Sequence, residues 1–241
     1  MESPGIAVFQ NDRTADSFSY GVFEPRSLAD MERAVEIVNS GWKDLFSLDR
    51  KIFEKRLESG HLFFAARHNG KPACILETLA LKIGEPEFSE KDSPNDRAKY
   101  IGSQIRSMGN YFDITNGGNW FPYQEGSNVV LFVDITSHPD ELGGPAASGL
   151  VNHVKSRAWQ KLEERPRELE HLNSVKYMPT YTPDIFEVIR WHKGLFALDT
   201  DIIIPKARPT YTPSKNVHMM CYMAPGYTAS VGQVKRQKKP N

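Results

Sequence analysis

Residues 128–135 read NVVLFVDI, an unbroken apolar run of strand length. A strand of that kind is buried on both faces, so it belongs in the middle of a sheet covered by helices on each side. The residues after it set the connection. Residues 136–144 form a turn, and Pro145 suits the first position of a helix, where its missing N–H is no loss. Leu150, Val154, Ala158 and Leu162 then recur every fourth residue, so a helix is expected to about Glu164, where Arg165-Pro166 breaks it. A buried strand leading through a turn into a helix points to an α/β fold.

Composition excludes several classes. The 241 residues are 39% hydrophobic and 25% charged, which suits a folded globular chain rather than a disordered one. Thirty basic and thirty acidic residues cancel, which removes any general electrostatic reason to bind nucleic acid or an anionic membrane. Cys74 and Cys221 each lie in an apolar run and read as buried thiols, with neither a disulfide framework nor a zinc pattern. The seven histidines show no metal-ligand spacing backed by cysteine or acid partners, so no metal is expected. There is no signal segment and no run near the ~20 apolar residues of a membrane span. A soluble, cytoplasmic protein is the expectation.

Along the chain, residues 1–18 read as an arm and 226–241 as a basic tail, flanking a single domain over 19–225. A first strand is expected at 19–23. A helix follows, capped by Ser27, with Leu28, Met31, Val35 and Val38 on one face and Ser40-Gly41 at its end. A second helix covers 49–57. Residues 61–67 and 72–83 form a hairpin around Asn69-Gly70, which supplies the positive φ of a tight turn. Residues 84–127 read as an insertion or long loop without a clean period, held by aromatics that include Trp120 and Phe121. Further strands are expected at 174–178, 201–204 and 217–223, with a short helix at 185–195 after Asp184 as its N-cap.

This order of elements, with the strand–turn–helix at 128–162, resembles the GNAT superfamily of N-acyltransferases over roughly residues 19–223. The resemblance implies a mixed, splayed central sheet flanked by helices. In that family the turn after the central strand reads Val-x-Pro-x-x-Arg-Gly-x-Gly-x-Gly/Ala and holds the CoA pyrophosphate at a helix N-terminus, where backbone N–H groups and the helix dipole meet the anion. Here Pro139, Gly143, Ala147 and the following Leu150-Val151 fall in register, whereas Leu142 and Pro145 stand in place of an arginine and a glycine, and Asp140 and Glu141 add negative charge. The implied donor site is Ile135, Thr136, Leu142, Gly143, Gly144, Ala146 and Ala147, with acetyl-CoA or another acyl-CoA as co-substrate.

A second stretch, Tyr181-Thr-Pro183-Asp184 followed by Arg190-Trp191-His192-Lys193 and Ala197, resembles the fifth strand and fourth helix of a subset of the family, with Phe196 at the expected glycine. His192 stands where the family often has a tyrosine that protonates the departing thiolate. For the base that takes a proton from an amine acceptor, the candidates are Asp134, His138 and Glu77; a charge inside an apolar strand needs a reason, either chemical or structural. Trp120, Phe121, Tyr123 and Tyr181 are the candidate acceptor wall.

The resemblance implies direct attack of a small-molecule amine on the thioester. Two alternatives stay open: an acyl-carrier-protein donor, or a binding protein that keeps the fold without the chemistry. A homodimer is compatible with either.

Overall fold

The computed structural model describes residues 18–42, 48–84, 92–109, 111–116, 119–138, 143–158, 175–183, 186–204 and 217–224. The N-terminal arm, turn residues 139–142 with Leu142, the second half of the helix expected to Glu164, Asp184 and the basic tail lie outside these.

Several elements begin where the sequence supplies a terminus. Strand β1 (Phe18–Val22) leads to helix α1 (Leu28–Trp42), where the Ser27 hydroxyl accepts from the Asp30 N–H at 3.2 Å. Helix α2 (Arg50–Glu58) is capped by Asp49, which accepts from the Ile52 N–H at 2.8 Å. Strands β2 (Phe63–His68) and β3 (Lys71–Leu81) meet at Asn69 (φ 51°) and Gly70 (φ 80°), the double positive φ of a two-residue hairpin.

Residues 84–127 differ from the expected irregular loop. They contain helix α3 (Pro94–Ser107), opened by a capping box in which Ser93 and Asp96 bond reciprocally, and the short helix α4 (Tyr111–Ile114). Ala98, Ile101 and Ile105 bury one face of α3. The chain continues through β4 (Val129–Ser137), α5 (Gly143–Ala158), β5 (Tyr177–Pro183), α6 (Phe186–Gly194), β6 (Leu198–Ile204) and β7 (Val217–Met223).

The seven strands form one sheet in the order β1-β2-β3-β4-β5-β7-β6. All neighbours are antiparallel except β4 and β5. The fold is therefore the α/β class with a mixed central sheet that the sequence implies. Two hydrophobic clusters cover its faces. On one side α1 packs over β4 in a cluster that holds Val129, Leu131 and Val133 and extends to α2 and α3; on the other, α5 packs over Val130 and Phe132. The central strand is apolar on both faces because both faces are covered. Helix α3 leaves the chain between β3 and β4 yet packs on β5, β6 and β7.

Arg56 of α2 and Glu77 of β3 form a buried ion pair at 2.9 Å, 1% and 0% exposed. The guanidinium lies 4.1 Å over the Trp120 ring, whose Nε1–H donates to the Thr78 carbonyl at 3.0 Å. This ties the segment before β4 onto the sheet. At the end of α6, Phe196 takes φ 65° in the position where the family has glycine, and its side chain is 85% exposed. The left-handed conformation is disfavoured for a non-glycine residue, and the exposed ring buries little in return, with the Lys155 ammonium 5.9 Å from its centroid.

Two outcomes follow. Glu77→Ala leaves a buried guanidinium without its counter-charge and lowers unfolding free energy by about 3–5 kcal/mol in urea titration. Phe196→Gly relieves the positive φ and raises it by about 1 kcal/mol, read in the same assay.

Candidate active site

The ladder between β3 and β4 carries one irregularity. Glu77 faces Asp134 and Thr78 faces Phe132, so Val133 is an extra residue in β4. A bulge of this kind reverses the alternation of side chains. Val133 already faces α1, and Asp134 and Thr136 now face it too: the Thr136 hydroxyl donates to Asp134 Oδ2 at 2.5 Å, and Gly41 of α1 sits against Thr136 so closely that an added Cβ would lie 2.5 Å from its Oγ1. Ile135 falls on the opposite face, packed with the α5 cluster.

Beyond the bulge, β4 and β5 part. Their register runs through Val129↔Tyr177 and Phe132↔Thr180, whereas pairing of β4 with β3 continues to Ser137. The gap is a cleft of about 240 Å³ lined by Gly41, Asp134, Ile135, Thr136, Ser137, Thr180, Tyr181, Val188, Trp191 and His192. It passes through the sheet, with Asp134 and Thr136 toward α1 and the α6 residues on the other side.

His192 is buried, and burial pushes its imidazole down to about 3, so the ring is neutral at physiological pH. Its Nδ1 lies 2.7 Å from the Tyr222 hydroxyl of β7. Trp191 beside it donates from Nε1 to Ser148 Oγ at 2.9 Å and ties α6 to α5. Burial likewise drives the Tyr222 phenol upward, so it keeps its proton.

Of the residues singled out from the sequence, the cleft brings together Asp134, Ile135, Thr136, Tyr181 and His192. Gly143, Gly144, Ala146 and Ala147 form the first turn of α5, which carries no acidic side chain. The other candidates lie elsewhere. Glu77 is engaged by Arg56. His138 is buried past the end of β4, its Nε2 3.4 Å from Glu36 of α1. Trp120 is buried under Arg56. The Phe121 carbonyl accepts from His61 Nε2 at 2.8 Å, and Tyr123 stands edge-on to that His61 ring. None of these three aromatics lines the cleft.

Sequence reasoning missed Gly41, Ser137, Thr180, Val188 and Tyr222. The first four are small or apolar residues whose role is positional. Tyr222 sits in the apolar run VHMMCYM and reads there as core. Among the described residues no group of three histidines, cysteines or acids could hold a metal, and no helix is long and apolar enough to cross a membrane.

Neither a family model nor a curated protein matches the sequence. Solved structures do match in fold. A GNAT-like decarboxylase, GphF, in complex with isobutyryl-CoA superposes with TM-score 0.59 at 9% identity, covering 85% of this chain and 98% of that one. The loading GNATL domain of CurA from Lyngbya majuscula gives 0.53 at 11% identity, covering 86% and 97%. The putative acetyltransferase yncA from Salmonella typhimurium, with acetyl-CoA, gives 0.50 at 13% identity, covering 86% and 94%. The chain has the GNAT fold, with a helix-bearing segment between β3 and β4.

The neutral His192 has a signature in stability. Its folded pKa, about 3, lies below the unfolded 6.5, so the unfolded chain binds the proton first. Stability therefore falls as pH drops from 6.5 toward 3, by up to roughly 1.4 kcal/mol per pH unit from this group. Urea titrations across that range show a shallower pH slope for His192→Gln than for wild type.

Proposed function

We propose that the chain is an acyltransferase that moves a short acyl group from acyl-CoA to an amine. The observation that carries this is the cleft between parallel strands that separate just past a bulge, with a carboxylate on one side and a neutral imidazole on the other. A strand edge left open beside Ile135 and Thr136 suits the extended pantetheine arm, whose amides can pair with β4 backbone as an added strand would. The first turn of α5 offers the N–H groups of Gly143, Gly144 and Ala146 to a pyrophosphate, Pro145 having none.

In this reading the amine enters on the α1 side and loses a proton to Asp134, directly or through water. Its nitrogen then attacks the thioester carbonyl, polarised by a β4 backbone N–H. The C–N bond forms and the C–S bond breaks. The sulfur leaves beside His192, which at neutral pH donates a hydrogen bond rather than a full proton; the acylated nitrogen then sheds its second proton and the thiolate takes one up, both through solvent. No covalent intermediate is required, which fits two cysteines buried in the core with thiols pushed up to about 12. Cytoplasmic location and a small-molecule acceptor belong to the same proposal. A carrier-protein donor would differ in needing little of the nucleotide half.

The same cleft also suits decarboxylation, the activity printed for the GphF neighbour. When an α-carboxyacyl thioester such as a malonyl thioester loses CO2, the electron pair of the broken C–C bond becomes a thioester enolate, which a solvent proton then quenches. A neutral imidazole with its N–H turned toward the cleft would stabilise that enolate oxygen.

Titration calorimetry with acetyl-CoA and longer acyl-CoAs tests binding; absence of any heat sinks the acyl-CoA reading. Thiol release from acetyl-CoA that depends on added amines supports transfer, whereas CO2 release from malonyl-CoA without an amine supports decarboxylation. Asp134→Asn lowers amine-dependent turnover on the order of 10²-fold or more and leaves acyl-CoA affinity intact.

A further inference from the structure

We infer that Tyr222 holds His192 as the Nε2–H tautomer, which makes Tyr222 the positioning residue of the site and His192 a hydrogen-bond donor into the cleft. This rests in part on the proposed function, because the donor role matters only if a thioester occupies the cleft. The tautomer itself follows from hydrogen-bond accounting.

Among the described residues, the Tyr222 hydroxyl has one hydrogen-bond partner, His192 Nδ1 at 2.7 Å. Both side chains are buried. A phenol carries one proton to donate and lone pairs to accept. If it donates to Nδ1, its proton is satisfied, and the imidazole proton must sit on Nε2. If instead Nδ1–H donates to the phenol oxygen, the phenolic proton is left buried without an acceptor, and an unmade buried bond is the more expensive state. A doubly protonated ring is opposed by burial.

The surrounding contacts hold this arrangement in place. Lys155 of α5 donates to the Leu195 carbonyl just past α6 at 2.7 Å. Trp191 stands edge-on to His192 at 4.6 Å, and Phe132 packs on Tyr222 at 5.8 Å. With Nδ1 engaged, Nε2 is the ring nitrogen available to a ligand. His192 lines the cleft, and with the proton on Nε2 this nitrogen serves thioester oxygen or departing sulfur and does not serve as a base.

The test is a long-range ¹H–¹⁵N correlation spectrum of the full chain with ¹⁵N-labelled histidine at neutral pH. The expected result is a protonated Nε2 and an unprotonated Nδ1 for His192, assigned by comparison with His192→Gln. In Tyr222→Phe the Nδ1 resonance moves and Nδ1–H tautomer appears, while thermal melting reports whether the variant stays folded. Where turnover is measurable, Tyr222→Phe lowers kcat by about ten- to a hundredfold with KM for acyl-CoA within about twofold. An Nδ1–H tautomer in the wild type overturns the inference, as does a His192 spectrum unaffected by Tyr222→Phe. The expected spectrum in a protein that binds no acyl-CoA upholds the tautomer and defeats the functional proposal alone.

Discussion

One extra residue in the central strand determines the shape of this site. Were Val133 an ordinary strand residue, β4 would alternate regularly through it and Asp134 would face the α5 side. With it, Val133 and Asp134 both face α1, and the strand leaves its parallel neighbour soon afterwards. The bulge sits directly opposite Glu77, the residue committed to Arg56 in the protein interior. A slip of β3 by one residue would swing that carboxylate to the other face and leave Arg56 uncompensated, so the ion pair pins the register in which the bulge occurs. Buried charge here contributes specificity of alignment more than net stability.

The two sides of the cleft have different electrostatic character for the same reason, depth. Asp134 is only partly buried and accepts a hydrogen bond from the Thr136 hydroxyl. His192 lies deeper, against Trp191 and Tyr222, where an added proton is unwelcome. A site with an acceptor on one face and a donor on the other can take a proton from one reactant while stabilising charge on another, and the sheet itself keeps the two functions apart.

Much of the fold was legible in the sequence. The run NVVLFVDI identified the central strand, Asn69-Gly70 the hairpin, and Ser27 and Asp49 the first two helix starts. Helix α3 was not read, although Ser93 and Asp96 form a capping box and Ala98, Ile101 and Ile105 lie at helical spacing. Gly102 interrupts that stripe, and the polar residues around it hide the period; the glycine is there because Thr200 of β6 packs against it. For the site, charge inside an apolar strand found both Asp134 and Glu77, and could not separate them. The separating fact is Arg56, twenty-one residues away on another element. Tyr222 left no trace at all, since a buried tyrosine looks the same whether its hydroxyl meets a backbone carbonyl or an imidazole.

A sheet that divides into a V behaves mechanically as a hinge, with β4 and β5 as the two leaves. Helix α3 bridges them: its chain issues from the β3–β4 leaf, and its buried face rests on β5, β6 and β7 of the other. Fourteen residues of helix are stiff on the scale of this jaw. Gly102 on this helix lies directly against Thr200 and Ile202 of β6. The insertion thus lays a helix across the β5–β7 leaf while its place in the chain lies between β3 and β4 of the other.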